Sequence, residues 1–240
     1  MRFSEKADQY EQRAFIQSDL AAWGAEWLGR VDVIPGPALE IGAGTGLFTK
    51  YLTKSLPEVV ATDVSEAMVA LGKERVPEAS WRVCDAWSPI DAPWGGMFSA
   101  SLLQWCQDPY KVFAAWREVL RPGALMLHVF FLDGTLAELR DISSECLAIE
   151  FHSANFWKNH FESSGFEVVD SEVMQTSYGF PSTLDLFRFL HGIGATLGPR
   201  KLKPSSLRGI IEACDQKRLQ NSQRQLESKW VFGRFLCRSI

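Results

Sequence analysis

The stretch LEIGAGTG, residues 39–46, sets glycines at positions 42, 44 and 46 directly behind an acid, Glu40. Glycine permits a tight turn and lets a ligand approach the backbone, so this loop, leaving a strand and opening a helix, suits a bound small molecule. The spacing is G-x-G-x-G and differs from the G-x-G-x-x-G of dinucleotide folds; a plain glycine-rich turn is the alternative that needs no ligand. Asp63 ends the next apolar run about 20 residues on, where a carboxylate can accept from both hydroxyls of a ribose. Ser65 then reads as a helix N-cap, Met68 could flank an adenine, and Asp85 closes a third apolar run where it could accept from an adenine amino group. Singly, the two aspartates could be loop acids and Met68 a core residue. Three pieces in the right order at three successive strand ends point to one nucleoside-binding site.

A second stretch poses a complementary problem. SASLLQWCQDP, residues 99–109, reads as the end of a buried strand opening onto the same site, yet it contains no His, Lys or Tyr. Its first acid, Asp108, precedes Pro109, which makes it a helix N-cap followed by proline at the first helical position. Cys106 has no His–Asp framework to make it a nucleophile. Whatever reacts here must need no general base from this segment.

The elements that position these residues follow a strand–helix alternation, the mark of a parallel α/β sheet. Residues 38–41, 59–63, 81–84, 97–101 and 125–131 read as five strands, and 47–55, 65–75 and 109–120 as the helices between them. Arg121-Pro122-Gly123 should stop the third helix and turn the chain into the fifth strand. Residues 4–28 read as helical and lie before the core repeat. Helices are expected near 135–149, 155–164, 183–190 and 205–217, with strands at 167–174 and 229–237. The result is a sheet of about seven strands in one domain: a helical lid over 1–30, a cofactor-binding core over 36–135, substrate-side helices and a sixth strand over 135–225, and a last strand over 226–240.

Composition sets the outer bounds. At 240 residues with 46% hydrophobic and 22% charged residues, the chain can bury a full core as an ordinary globular protein. No apolar run approaches the length of a membrane span, and the polar N-terminus has no signal-peptide core, so the expected setting is the cytoplasm. Five scattered cysteines without C-x-x-C and four histidines without ligand spacing argue for reduced thiols and no metal site. After Gly194 ten basic residues stand against three acidic ones, a surplus of +7 that leaves −11 on the rest of the net −4 chain. That surplus is either a solvated surface with ordinary strand charges or a face for an acidic partner.

The constellation around Glu40, Asp63 and Asp85 resembles the class I S-adenosylmethionine-dependent methyltransferases over residues 36–135, and LRPG at 120–123 is similar to their turn before the fifth strand. The flanks FSEKADQYEQRAFIQ (3–17), SLLQWCQDP (101–109), GTLAEL (134–139) and FRFLHGIGAT (187–196) resemble, in order, the malonyl-acyl-carrier-protein O-methyltransferases of biotin synthesis. The chain reads SASLLQW where that family often has SNLALQW, and carries His191 where a Lys is usual.

The resemblance implies a Rossmann-like, seven-stranded, mostly parallel α/β sheet with a reversed last strand, helices on both faces, an N-terminal helical lid and a late helical insertion. It implies S-adenosyl-L-methionine as cofactor, with Glu40, Gly42, Gly44 and Gly46 around the methionine moiety, Asp63 on the ribose, Met68, Asp85 and Ala86 bordering the adenine, and Ala43, Val64 and Leu102 as further cofactor-binding residues. The implied reaction methylates the free carboxylate of a malonyl thioester on acyl carrier protein, giving the methyl ester that starts pimeloyl synthesis. A carboxylate is ionised at neutral pH and needs only alignment and exclusion of water, which answers the missing base. Tyr10 and Arg188 are the candidates for gripping it, Arg188 alternatively for binding the carrier; they are equally readable as a packed aromatic and a surface charge respectively. Gln104 and Trp105 are expected to line the transfer pocket unless Trp105 is a core residue. Arg200, Lys201, Lys203 and Arg208 become a docking face for the acidic carrier, and nothing suggests a nucleic-acid partner. The alternatives are another small carboxylate or coenzyme A thioester as acceptor, or a cofactor-binding partner protein without activity.

Overall fold

Short, nearly continuous apolar strands require cover on both faces. In the computed structural model, which describes residues 14–31, 34–89, 93–142, 149–194, 204–220 and 225–240, β1 (Ala38–Ile41) is buried at every position and β2 (Val59–Asp63) at all but its last. With β3 (Ser80–Val83), β4 (Trp94–Ala100), β5 (Leu120–Phe131), β6 (Phe166–Phe180) and β7 (Leu226–Ser239) they form a seven-stranded sheet in the order β3-β2-β1-β4-β5-β7-β6. The first five strands pair in parallel, and β7 runs antiparallel to both β5 and β6. The strand order reverses between β1 and β4, and the crevice at the carboxyl ends of strands beside such a reversal is where an open α/β sheet takes its ligand.

The described helices are α1 (Phe15–Ala25), α2 (Thr49–Ser55), α3 (Glu66–Arg75), α4 (Pro109–Val119), α5 (Ala137–Arg140), α6 (Ala154–Ser163), α7 (Thr183–Gly192) and α8 (Pro204–Gln220). Strand alternation divides the core between them. Leu39 and Ile41 pack into a cluster with Phe113 and Trp116 of α4 and Phe161 of α6. Ala38 belongs to the other cluster, with Leu20 of α1, Leu52 of α2 and Leu190 of α7. Helices therefore cover both faces. The caps sit where side-chain chemistry places them: Ser65 Oγ accepts from Met68 N–H at 3.4 Å, and Asp108 Oδ1 accepts from Lys111 N–H at 3.2 Å.

Three expectations need correction. The 121–123 turn lies inside the extent of β5, which begins at Leu120; Trp94 pairs with Leu120 and Gly96 already with Leu125, so the intervening residues form an irregularity around Gly123, whose φ is +81°. The sixth strand runs on to Phe180, because β7 pairs with it along its whole length, from Phe166–Ser239 to Phe180–Leu226. Among the described residues, the helix expected over 135–149 contracts to the single turn Ala137–Arg140.

The C-terminal charge surplus is partly spent inside the fold. The Arg234 guanidinium, on β7, stacks between the Trp23 and Trp27 rings at 4.2 and 4.4 Å. It donates to the Trp23 carbonyl, to Glu26 and to Glu172, while Arg238 pairs with Glu167. These arginines fasten α1 and β6 to β7 and belong to no open basic face.

Candidate active site

The strand ends beside the β1/β4 reversal open on a cavity of about 520 Å³. Glu40, Gly42, Ala43, Gly44, Asp63, Val64, Met68, Asp85, Ala86, Leu102, Gln104 and Trp105 all line it. Gly46 does not: at φ +94° its missing Cβ would lie 2.9 Å from Val76 Cγ2, so this glycine lets the loop pack against α3 and β3. Gly44, at φ +57°, has open space where a Cβ would stand, and its N–H is turned to Asp63.

Asp63 is held by backbone. Its Oδ2 accepts from Gly44 N–H and its Oδ1 from Ser65 N–H, each at 2.9 Å. Each oxygen keeps a lone pair, so the carboxylate can still accept from two neighbouring hydroxyls. Burial raises its pKa above the ordinary carboxylate value, while those same N–H groups pull it down. Asp85 stands exposed at the end of β3, its Oδ1 accepting from Trp87 N–H at 3.0 Å.

Glu40 is the anomaly. It is 1% exposed, and neither carboxylate oxygen has a hydrogen-bond partner. Burial pushes its pKa up to about 8, the Asp63 charge adds to that, and the Thr49 hydroxyl opposes it from nearby without reaching bonding geometry. A buried carboxyl left in this condition is costly unless a donor satisfies it. An ammonium group fits that demand, a ribose diol fits Asp63, and an adenine amino group fits Asp85. The residues present therefore suit S-adenosylmethionine.

The far half of the cavity differs in character. It is walled by Phe131, Leu136, Phe151, Leu190, Ile193 and Trp230, with the carboxamides of Gln17 and Gln104 among them. Among the described lining residues of this half there is no Asp, Glu, His, Lys, Arg, Cys or Tyr. Two titratable groups on the flanking strand–turn segments, Cys106 and His128, are disposed of by packing. Cys106 is not on the wall, and burial pushes its thiol up to about 11. His128 pairs with Ser99 across the β4–β5 register, Oγ to Nδ1 2.8 Å, like the Ser–His pair of a hydrolase. It is fully buried between Trp116 and Phe161, away from the cavity, and burial pushes its pKa down to about 3.

Arg188 does not reach the cavity to grip an acceptor there, which leaves its readings as a surface charge or a carrier contact. Its side chain is 64% exposed, pairs with Asp185 one turn earlier on α7, and does not line the cavity, because that helix presents Leu190 and Ile193 to it instead. Tyr10, Arg200, Lys201 and Lys203 lie outside the described residues; Arg208 is exposed on α8. Sequence reasoning missed Gln17 and the distant apolar wall. Gln17 lies on α1, and nothing in a glutamine within a helix signals which face it presents; Trp230 and Ile193 reach the cavity only through the late strand and helix.

Residues 39–128 match the family model described as a methyltransferase domain. The chain is 29% identical to a malonyl-[acyl-carrier protein] O-methyltransferase from Xylella fastidiosa (strain M23), over 95% of this chain and 82% of that one. It is 28% identical to the protein of the same name from Anoxybacillus flavithermus, over 90% and 88% respectively. Among solved structures, a putative methyltransferase from Bacillus halodurans superposes with a TM-score of 0.66 over 90% of this chain and 97% of that one, at 12% identity. The sheet order, the unpaired Glu40, the backbone-held Asp63 and these likenesses agree: the chain has the fold of the class I methyltransferases and the residues to hold S-adenosylmethionine.

Proposed function

We propose that the protein methylates the free carboxylate of a malonyl thioester carried on acyl carrier protein. The observation that carries this reading is the contrast within the cavity: acids converge on the cofactor half, and the described acceptor half has no group able to take up a proton. An amine, phenol or alcohol acceptor needs deprotonation before or during transfer; a carboxylate, with an ordinary pKa near 4, does not. The names of the relatives from Xylella and Anoxybacillus point to the same acceptor.

S-adenosylmethionine, when bound, supplies an electrophilic methyl group on a sulfonium. The protein's own contribution is placement and dryness. Asp63, pinned by Gly44 and Ser65, orients the ribose; Glu40 takes the ammonium; the apolar wall strips water from the acceptor carboxylate, leaving its oxygen the stronger nucleophile. Tyr10 is proposed to donate to that carboxylate from the N-terminal lid, and Tyr10→Phe should lower turnover while sparing cofactor affinity. Turnover at the wild-type level would remove the hydroxyl from the mechanism.

The test is mass spectrometry of malonyl-acyl carrier protein after incubation with enzyme and S-adenosylmethionine, with acetyl-carrier protein as control. A gain of one CH2 on the malonyl form alone supports the reading. Methylation only of malonyl-coenzyme A or a free diacid would keep carboxyl transfer and discard the carrier. No methylation of any carboxylate beside tight cofactor binding would overturn it, in favour of another acceptor or a binding partner without activity.

A further inference from the structure

Two carboxamides on the cavity wall carry a demand that the reaction so far leaves unmet. Gln104, in the 3-10 turn Leu103–Trp105 after β4, is 7% exposed, and its Nε2 donates to the Ser101 carbonyl at 2.9 Å and contacts Ser101 Oγ at 3.1 Å. A backbone carbonyl only accepts, so the amide cannot be flipped, and both of its N–H groups are committed to Ser101. What remains is Oε1, an obligate acceptor, buried and without a partner. Ser101 itself holds φ +57°, a left-handed conformation rare for a serine, and its N–H is tied to the Val129 carbonyl at 2.8 Å. The strained turn thus fixes the orientation of Gln104. Gln17, from α1, is 4% exposed, lines the same cavity, and its Oε1 is likewise buried and unpartnered. Two independent elements bring two orphan carboxamide oxygens to one site.

Orphan acceptors of this kind call for an N–H or O–H donor. On the cofactor side, Glu40 and Asp85 are the acids matched above to the ammonium and amino groups. The acceptor group offers nothing: an ionised malonyl thioester has only oxygen acceptors, a thioester sulfur and a CH2. Following the thioester away from the reacting carboxylate, the first N–H is the amide of the cysteamine unit, two carbons beyond sulfur. Carboxamide oxygens suit this neutral donor, whereas carboxylates in their place would repel the incoming malonyl charge.

We propose that Gln104 and Gln17 read the amide N–H of the pantetheine arm and so confine the enzyme to cysteamine-type thioesters. This rests on the proposed malonyl thioester acceptor. Both are specificity-determining residues that hold the arm while the carboxylate reaches the methyl group. The chemistry recognised is shared by carrier-borne and coenzyme A-borne substrates, and free diacids lack it.

The experiment compares malonyl-N-acetylcysteamine with an analogue in which the amide N–H is replaced by CH2, using methyl transfer followed by mass. The wild-type enzyme should prefer the amide substrate by about tenfold in kcat/KM, one hydrogen bond's worth, mostly through KM. Gln104→Met should bring that ratio close to one, and Gln17→Met should reduce it; S-adenosylhomocysteine binding by calorimetry verifies that each variant is folded. The Gln104→Met loss should be similar for malonyl-carrier protein, malonyl-coenzyme A and the small amide substrate. A wild-type ratio near one, an equal loss on both small substrates, or a loss confined to the carrier-borne one would overturn the assignment. Failure of the wild-type enzyme to methylate any malonyl thioester would instead sink the acceptor reading beneath it.

Discussion

The two halves of the cavity are built on opposite plans. The cofactor half is made by strand ends: β1 supplies Glu40 and the glycine loop, β2 supplies Asp63, and Asp85 follows β3. Asp63 and Asp85 are held by backbone N–H bonds, so their geometry follows from the sheet. The acceptor half is assembled from α1, the turn after β4, α7, β7 and the segment around Phe151, with a mainly apolar surface. A charged, backbone-fixed half recognises a ligand that never changes; an apolar half on peripheral elements sets which acceptor is let in. Substitutions in the two halves should therefore separate cofactor affinity from acceptor selectivity.

The sharpest break should come from Glu40→Gln. Removing the charge that meets the ammonium should weaken cofactor binding by about 10- to 100-fold, the range of a charge-assisted hydrogen bond. The same change should stabilise the ligand-free protein. The folded-state pKa of Glu40 is raised to about 8 from an ordinary 4.5, so its favourable protonation is fully present below pH 4.5 and lost as pH rises through 8. Thermal melts should show Glu40→Gln gaining over wild type as pH climbs across that window. Unchanged cofactor affinity would remove Glu40 from the site. The opposite sign holds at His128, where a folded-state pKa of about 3 against 6.5 means stability present above pH 6.5 and lost as pH falls toward 3. In wild type the Glu40 contribution opposes this between pH 6.5 and 4.5. The His128 loss is therefore read in Glu40→Gln, whose melting temperature should decline across that window; a level profile in that variant would contradict the buried neutral imidazole.

The same division governs what the sequence discloses. LEIGAGTG, Asp63 and Asp85 sit at consecutive strand ends, so their convergence follows from strand–helix alternation alone, and all three segments face the cavity. The parallel strands and the N-caps at Ser65 and Asp108 are equally local consequences of residue type. Gln17, Leu190, Ile193 and Trp230 meet only because α1, α7 and β7 fold over the same end of the sheet, a fact of tertiary packing with no local pattern. Arg188 takes the surface for that reason: FRFL offers an arginine, but the apolar face of α7 decides which side turns inward. The Ser99–His128 bond lies between these cases, since it needs only the register of two neighbouring strands.

On the acceptor side, Ile193→Ala sharpens the comparison. Ile193 is 6% exposed on the cavity wall, so truncation should cost about 2–5 kcal/mol of stability through lost contacts and the space left behind. Acceptor KM should rise by about tenfold as water gains entry, whereas cofactor affinity should stay within about twofold. Equal loss of cofactor binding by calorimetry would show that the two halves do not act separately.

The smallest effect is expected at the rim. With Arg234 and Arg238 committed to Glu26, Glu172 and Glu167, the C-terminal surplus available to an acidic carrier shrinks to residues such as Arg208, which is exposed on α8. An exposed charge of this kind contributes up to about 1 kcal/mol and acts mainly on encounter rate, so Arg208→Glu should raise KM for malonyl-carrier protein about two- to fivefold. Added salt should reproduce part of that loss in the wild-type enzyme and little in the variant. Kinetics with malonyl-N-acetylcysteamine should be unaffected, because the small substrate has no acidic surface for Arg208 to meet. A matching loss on both substrates would mean that α8 acts through the shape of the pocket and carries no docking role.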